Sequence, residues 1–257
     1  MSFKVTVLGS SGGYAGAGRA CSGFLLELGE DSLVLDIGSG ALSHLLEYRE
    51  PDDIGGVALT HMHYDHYVDM HGLCTARRFW PAGLPPLPVL APPGAGEVLT
   101  AALQESSREV FLELIDLMVA SPGEEVEFAR FTVTPFAVKH VMDSLAYRVG
   151  DGERTLFYTG DTEWSGELLS GARDVDMLIC EATFTSQVPR KAPGHMSARD
   201  AGRLAAEAGA GRLVITHVWP TLDGKRAVED ARGQFEGPID LALEDMVFFV
   251  GPYPCAT

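Results

Sequence analysis

Short apolar segments bounded by Gly, Asp or Pro recur along almost the whole chain. Runs of about four to eight apolar residues are typical of strands, whereas apolar positions three and four apart are typical of helices. The first pattern predicts strands over residues 3–8, 23–28, 33–37, 56–60, 86–91, 126–128, 131–138, 144–149, 155–159, 175–181, 212–216, 239–243 and 246–250. The second predicts helices over residues 40–48, 68–79, 96–103, 197–208 and 225–235.

Two stretches differ in how clearly the pattern defines them. The helix over residues 197–208 has strong end signals, because Ser197 and Asp200 have the spacing of a capping box and Gly209 lies near its end. Residues 105–122 are apolar without a decisive period. For this second stretch we leave two roles open, an interface or a lid over a site.

Groups of strands followed by a helix occur twice along the chain. This order predicts an α/β fold in which two sheets pack face to face with helices outside. The length of 257 residues suits one large domain or one internally duplicated α/β unit, and no linker or low-complexity segment divides it. We therefore expect a single domain over residues 1–257.

The strongly acidic composition restricts the partners of the chain. Its formal net charge is −17, which disfavours binding to the phosphate backbone of a long nucleic acid. A small anion could still bind, since metal ions would dominate the field at their own site. The acidity can equally serve solubility alone.

Cysteine usage and the amino terminus indicate a compartment. The four cysteines are scattered without a CxxC pair, as expected for free thiols in a reducing environment. The chain enters a strand pattern at once, without the features of a secretory signal, and no apolar run has transmembrane length. These features predict a cytoplasmic protein without a membrane partner.

The segment from Thr60 to His66 holds the densest chemistry of the chain. His61, His63, Asp65 and His66 follow a strand-like apolar run and precede a predicted helix. Four buried polar side chains at a strand end would be costly in a plain core, because each needs a partner. Imidazole and carboxylate groups are normal ligands of zinc and similar divalent ions. The segment therefore predicts a metal site.

Three further candidate ligands, His140, Asp161 and His217, each follow an apolar run. Taken alone, each fits a cap or turn residue. Together with the first cluster they form a His-x-His-x-Asp-His motif, a distant His, an Asp in Gly-Asp-Thr and a final His. This order resembles the metallo-β-lactamase superfamily over nearly the whole chain. The resemblance implies a four-layer αβ/βα sandwich of two mixed sheets with metal ions at its edge.

The resemblance also implies a role for each ligand. His61, His63 and His140 resemble the ligands of a first metal, and Asp65, His66 and His217 those of a second. Asp161 resembles the carboxylate that bridges both. The expected cofactors are two divalent ions, Zn²⁺ first and Mn²⁺ or Fe²⁺ as alternatives.

In this family, a water between the metals becomes hydroxide near neutral pH, and Asp65 would orient it. Asp36 resembles the family's carboxylate behind a ligand histidine, although a plain strand-end turn is an equal alternative.

Two further motifs are similar to the phosphodiesterase branch, which includes ribonuclease Z. They contain Glu181 (Cys-Glu-Ala-Thr-Phe) and His195 (Gly-His-Met-Ser); Ala146-Tyr147-Arg148 and the opening 8–12 segment agree. The resemblance implies that His195 stabilises the phosphate or protonates the leaving oxygen and that Glu181 orients it. A histidine beside a carboxylate is a suitable general acid. The alternative is that His195 caps the helix region at 197–208.

One departure from the ribonuclease Z pattern restricts the size of the expected substrate. Ribonuclease Z enzymes of the usual kind carry a long tRNA-gripping arm between the ligands that match His140 and Asp161, and this interval is short here. The only basic pairs are Arg77-Arg78, Arg190-Lys191 and Lys225-Arg226. We therefore expect a metal-dependent phosphodiesterase for a small anionic phosphodiester such as a cyclic nucleotide.

Three alternatives remain open: an RNA 3′-end endonuclease, a thioester or lactam hydrolase of the same fold, and a non-enzymatic binding module. The resemblance also allows a homodimer. The segment from Arg77 to Trp80 could contact phosphate or a base, or be a helix-end charge pair with two core aromatics. Trp219 could line the mouth of the pocket.

Overall fold

The computed structural model describes residues 2–188 and 192–251. Its strands are β1 (Phe3–Gly9), β2 (Gly23–Leu28), β3 (Asp31–Ile37), β4 (Val57–Ala58), β5 (Leu87–Ala91), β6 (Ile115–Val119), β7 (Val126–Phe128), β8 (Phe131–Ala137), β9 (Leu145–Gly150), β10 (Thr155–Tyr158), β11 (Met177–Glu181), β12 (Leu213–Thr216), β13 (Ile239–Leu241) and β14 (Val247–Val250). Its helices are α1 (Ala41–Tyr48), α2 (Tyr64–Tyr67), α3 (Met70–Arg78), α4 (Ala95–Ala101), α5 (Glu105–Leu112), α6 (Gly166–Gly171), α7 (Ala198–Ala208) and α8 (Gly224–Arg232), with a 3₁₀ turn at Pro51–Asp53.

The strands form two seven-stranded sheets, in the orders β14-β1-β2-β3-β4-β5-β6 and β13-β12-β11-β10-β9-β8-β7. In the first, β14 to β3 pair antiparallel and β3 to β6 pair parallel. The second repeats this arrangement, with β13 to β10 parallel and β10 to β7 antiparallel. Two mixed sheets flanked by helices confirm the predicted four-layer sandwich.

The main core lies between the two sheets. Aromatic rings from opposite sheets meet there: Phe3 and Phe131 have centroids 5.5 Å apart, and Phe24 and Tyr158 have centroids 5.2 Å apart. Burying one such side chain stabilises the fold by roughly 1.5–3 kcal/mol. Separate apolar clusters lie outside each sheet, under the helices. Strand β2 is therefore buried on both faces, which explains its apolar run from Phe24 to Leu26; the one charged residue, Glu27, is paired with Lys4 and Arg49.

Helix α7 forms as its sequence predicts. The Ser197 hydroxyl accepts a hydrogen bond from the Asp200 backbone N–H, the Asp200 carboxylate accepts from Ser197, and Gly209 ends the helix with φ of 70°. A capping box satisfies N–H groups that have no partner inside the helix. This local signal fixes the start of α7 next to the loop that carries His195.

The structure differs from the predicted elements in three places. Residues 105–122 contain α5 and then β6, which pairs in parallel with β5 and completes the edge of the first sheet, so this stretch is not a lid. The helix expected over residues 68–79 is found as α3, and a one-turn helix that was not predicted, α2, precedes it. Helix α6 was not predicted, since two glycines in six residues obscure its period.

The carboxyl ends of strands from both sheets meet at one edge of the sandwich. Strands β3 and β4 lead into this edge from the first sheet, and β8, β10, β11 and β12 from the second. Ligands of sandwich and open-sheet α/β folds commonly bind where strands end in this way. Within the described residues, no helix is both long and apolar enough to cross a membrane.

Candidate metal centre

Side chains from five separate segments converge at this edge. They are His61 and His63 after β4, Asp65 and His66 in α2, His140 after β8, Asp161 after β10, and His217 after β12. The local sequence contributes directly at α2, because His63 is its N-cap and Asp65 and His66 lie in its only turn. The positions of His140, Asp161 and His217 depend on the register of the second sheet.

One group of possible ligands comprises His61, His63, His140 and Asp161. His63 Nδ1 lies 3.0 Å from His61 Nε2 and 3.2 Å from His140 Nε2. His61 Nε2 lies 3.7 Å from Asp161 Oδ2. His61 and Asp161 are buried, whereas His63 and His140 are half-buried. We call these four residues the outer group.

A second group comprises Asp65, His66, Asp161 and His217, all of them buried. His66 Nε2 lies 3.3 Å from His217 Nε2, and both nitrogens lie 3.3 Å from Asp161 Oδ1. Asp65 Oδ2 lies 3.1 Å from His217 Nε2. We call these four residues the inner group.

Asp161 belongs to both groups. Its Oδ2 faces the outer group and its Oδ1 the inner group. Oδ1 is buried and has no hydrogen-bond partner among the described residues. A buried carboxylate oxygen without a donor is costly unless a cation neutralises it. The converging ring nitrogens and this oxygen therefore fit two divalent cations, one at each group.

Hydrogen bonds on the far side of each ring support this assignment. His66 Nδ1 lies 2.7 Å from Asp36 Oδ2, and His140 Nδ1 lies 2.8 Å from the Gly194 carbonyl oxygen. Because these acceptors take an N–H from Nδ1, the tautomer leaves the Nε2 lone pair free. His217 Nδ1 lies 2.9 Å from Thr183 Oγ1 and His61 Nδ1 3.0 Å from Thr60 Oγ1.

Asp36 holds the inner group to the core. This carboxylate accepts hydrogen bonds from the Thr60 backbone N–H at 2.7 Å, the Thr60 hydroxyl at 2.8 Å and the Tyr158 hydroxyl at 2.8 Å, in addition to His66. Asp36 also has φ of 55°, a left-handed conformation that costs a non-glycine residue roughly 1–2 kcal/mol. It is thus more than a strand-end turn: it fixes the position of His66.

A second buried network surrounds Glu181. Its Oε1 accepts from the Thr162 backbone N–H at 2.7 Å and lies 3.2 Å from His195 Nδ1. Its Oε2 accepts from the Thr183 hydroxyl at 2.7 Å. Glu181, His195 and His217 also lie close enough to form a third metal-binding group. Both Glu181 oxygens already have donors, however, which favours an orienting role toward His195.

His195 does not cap α7, since Ser197 fills that position. Its ring stacks on His217 with centroids 5.7 Å apart, and its Nδ1 lies 3.8 Å from Asp161 Oδ2. Glu181 and Thr183 engage Nδ1. Nε2 is therefore the ring nitrogen that a ligand at this edge would meet.

Glycines allow the backbone to approach two of the histidines that could bind metal. A Cβ at Gly12 would lie 2.6 Å from the His217 carbonyl oxygen, and one at Gly194 would lie 2.7 Å from His140 Nδ1. Gly194 also has φ of 86°. Neither position accepts a side chain without displacing a possible ligand.

Burial and charge set the protonation of the site. Burial and the neighbouring His66 hold the pKa of His61 well below its usual value, which leaves a neutral imidazole. Burial alone would raise the pKa of Asp161, but His217 and His66 outweigh it and hold that pKa well below its usual range. Burial opposes protonation of His66 too, but Asp161 and Asp36 raise its pKa well above the usual value. A cation at the inner group would replace that proton.

The same balance acts on His195. Burial lowers the pKa of its imidazole, but the hydrogen bond and the charge of Glu181 outweigh burial and raise that pKa above its usual value.

Of the remaining candidates, only Trp219 lies near this site among the described residues. Arg77 is buried and donates to the carbonyl oxygens of Pro51 and Pro85, so it is a structural residue. Phe79 is 75% exposed, so the expectation of a core aromatic was wrong there. Trp219 is 37% exposed and packs edge-on against Phe184, close to His195. The pair Arg190-Lys191 lies outside the described residues.

Sequence reasoning missed three residues of this site. Thr183 links His217 to Glu181, Gly13 donates its backbone N–H to Asp65 Oδ2 at 2.6 Å, and Glu163 accepts from the Gly194 backbone N–H at 2.9 Å. Thr183 lies in the Cys-Glu-Ala-Thr-Phe motif, which offered a signal. The other two had none, because their partners are distant in sequence.

Known proteins resemble this chain over most of its length. A family profile described as "Beta-lactamase superfamily domain" matches residues 34–218. The "Probable metallo-hydrolase YhfI" of Bacillus subtilis is 31% identical over 250 residues, covering 95% of this chain and 99% of that protein. The crystal structure of YhfI superposes with a TM-score of 0.87 at 29% identity, over 97% of this chain and 100% of that one.

Two further matches are more distant. The ribonuclease Z of Myxococcus xanthus is 24% identical over 296 residues, covering 94% of this chain and 95% of that protein. The crystal structure of unliganded yeast PDE1 has a TM-score of 0.75 at 16% identity, covering 96% of this chain and 99% of that one. The latter likeness concerns the fold.

Proposed function

The chain belongs to the β-lactamase superfamily and is similar throughout to a metallo-hydrolase, and we propose that it is a phosphodiesterase acting on a small phosphodiester such as a cyclic nucleotide. One observation carries this proposal: the His195–Glu181 pair lies against both metal-binding groups, with His195 Nδ1 3.2 Å from Glu181 and its ring stacked on His217. A hydrolase that protonates an alkoxide leaving group needs an acid at this place.

Each residue then has a distinct task. His61, His63, His140 and Asp161 would hold one divalent ion, and Asp65, His66, His217 and Asp161 the other, with zinc as the first choice for this N/O donor set. When bound, the ions would neutralise the phosphoryl oxygens and lower the pKa of a coordinated water. Asp65, fixed by Gly13, orients the attacking water through its remaining lone pairs.

His195 faces the leaving oxygen with Nε2. Glu181 holds the ring by Nδ1 and stabilises its protonated form, so that a proton can pass from Nε2 to the alkoxide as the P–O bond breaks. The buried hydrogen bonds from Thr162 and Thr183 keep the Glu181 carboxylate in place.

The experiment is hydrolysis of 3′,5′-cyclic AMP by zinc- or manganese-loaded protein, with release of AMP measured by chromatography. We expect turnover that His195→Ala lowers about 10²–10⁴-fold, as for loss of a general acid, while bound metal stays unchanged. Asp161→Ala serves as the blank. Absence of turnover in the metal-loaded wild type contradicts the cyclic-nucleotide assignment.

An RNA 3′-end endonuclease is the second candidate, favoured by similarity to a ribonuclease Z over nearly the whole chain. Against it, the interval from His140 to Asp161 holds only β9, β10 and their turns, and the net charge is −17. Precursor tRNA offered in parallel with cyclic AMP decides between them. Cleavage of the tRNA without AMP release would favour this second candidate.

A further inference from the structure

A cavity of about 640 Å³ opens beside His140, on the outer-group side of the centre. Its walls come from both sheets: Pro92 and Pro93 follow β5, Pro122 follows β6, and Val141 and Met142 belong to the loop between β8 and β9. Pockets for small ligands commonly measure about 300–1,000 Å³. The cavity is therefore large enough for the part of a substrate that is not the phosphate.

The cavity is already shaped in the free protein. Proline fixes the backbone at three of its wall positions. The loop with Val141 and Met142 is closed by the Ser144 hydroxyl, which donates to the Met142 carbonyl at 3.0 Å, and by the Val138 N–H, which donates to the Ser144 carbonyl at 3.2 Å. A site formed before binding loses little entropy when a ligand enters.

Its surface chemistry suits a flat group with a polar edge. Val141 is 63% exposed and Met142 is 37% exposed, although both lie next to a highly polar centre. Exposed apolar side chains beside a functional site commonly contact a ligand, and a methionine adapts to a ring. Lys139 and Asp143 flank these side chains in the same cavity and can reach polar atoms at a ring edge.

We propose that this cavity binds the nucleobase of a nucleotide substrate whose phosphate lies at the metal-binding groups. The proposal rests on the proposed function and names its substrate class: nucleoside phosphodiesters in preference to simple alkyl ones. Val141 and Met142 are then specificity-determining residues, which contact the base and take no part in the bond-breaking step.

The test compares adenosine 5′-monophosphate with ribose 5-phosphate, which carries a hydroxyl at C1 in place of the base. Their affinities for the metal-loaded full chain are measured by titration calorimetry. We expect the wild type to bind the nucleotide at least about tenfold more tightly. The double variant Val141→Gln/Met142→Gln removes apolar surface without adding charge, and we expect it to reduce this preference below about threefold while ribose 5-phosphate binds as before.

Val247→Gln/Phe249→Gln is the matched control, since these side chains are 42% and 57% exposed on the distant strand β14. We expect this control variant to keep the full preference for adenosine 5′-monophosphate over ribose 5-phosphate. Equal affinity of the wild type for both ligands overturns the proposal. An equal loss of affinity for both ligands in the Val141→Gln/Met142→Gln variant overturns it as well.

A kinetic arm separates this inference from the proposed function. With 3′,5′-cyclic AMP, the Val141→Gln/Met142→Gln variant should raise KM about five- to tenfold and leave kcat nearly unchanged, as expected for loss of uniform binding. No turnover by the wild type, with the preference for the nucleotide retained, refutes the phosphodiesterase but leaves the base site. Turnover without any preference keeps the enzyme and refutes the base site.

Discussion

The inner and outer groups share Asp161 but are supported in different ways. In the inner group, His66 is held by the buried Asp36, His217 by the buried Thr183, and Asp65 by the Gly13 backbone N–H. In the outer group, His61 is buried against the Thr60 hydroxyl, but His140 is held by a loop carbonyl, that of Gly194, and His63 is half-buried. Buried residues therefore pre-organise most of the inner group, whereas loops hold part of the outer group.

This difference has a chemical consequence. Partners behind metal ligands typically change metal affinity about 10- to 100-fold when they are removed. Buried partners resist rearrangement more than loop partners, because a displaced buried group loses its hydrogen bonds without regaining water. We therefore expect the inner group to bind metal more tightly and to be the more sensitive to single substitutions behind it.

Asp161→Ala has the largest expected effect, because it removes the group that the two positions share. We expect both metals to bind weakly and hydrolysis to fall by at least about 10³-fold. Metal content after dialysis and the rise of Tm on adding zinc measure the change; ligand binding at about 100 times Kd would normally stabilise the fold by about 2.7 kcal/mol. Full metal content in this variant would contradict the shared role.

Asp36→Asn should weaken mainly the inner group, because Asp36 contacts His66 directly and reaches His61 of the outer group only through Thr60. An amide cannot satisfy His66, Thr60 and Tyr158 together, so we expect one of two zinc-binding phases to weaken about 10- to 100-fold in calorimetry. The free energy of unfolding should also fall by about 1–3 kcal/mol.

The control for this change is Asp69→Asn. Asp69 accepts hydrogen bonds from Gly40 and Leu42 at the start of α1, and these do not reach a ligand histidine. Asp69→Asn should cost stability and leave both zinc phases intact. Equal weakening of both phases by Asp36→Asn would show that the two groups are not supported separately.

Thr183→Val should have a smaller effect on the same inner phase, about tenfold, since only the hydroxyl behind His217 is lost. The same hydroxyl donates to Glu181, so kcat should fall as well. Thr162→Val is the control, because that hydroxyl donates to the Glu163 carbonyl and does not contact Glu181 or His217. A loss of kcat with zinc binding unchanged would restrict Thr183 to orienting the acid.

Glu163→Gln should have the smallest effect and should weaken the zinc-binding phase that belongs to the outer group. The substitution replaces a charged acceptor of the Gly194 N–H by a neutral one, and charged hydrogen bonds are roughly twice as strong. We expect about a threefold weakening of the outer zinc phase with the inner phase unchanged. Glu167→Gln, an exposed change in the first turn of α6, should alter neither. Weakening of the zinc-binding phase of the inner group instead would contradict the assignment of Glu163 to the outer group.

The features that could be predicted from the sequence are those that depend on residues close together along the chain. The spacing of His61, His63, Asp65 and His66 follows from one strand end and one helical turn, and the capping box of α7 is closed by residues three apart. The apolar runs predicted most strands of both sheets, because most residues of each such strand are buried in the core. The order of the motifs indicated the family, which the family profile and the relatives bear out.

Tertiary structure alone decided the features that join distant residues. Asp36 reaches His66 across 30 positions, and Thr183 reaches His217 across 34, because neighbouring parallel strands end side by side, β3 and β4 in the first sheet and β11 and β12 in the second. Residues 105–122 became α5 and β6 because a free sheet edge beside β5 was available. The cavity beside His140 arises from loops of both sheets. Short-range spacing fixes which atoms can act, but the packing of the two sheets fixes which of them meet.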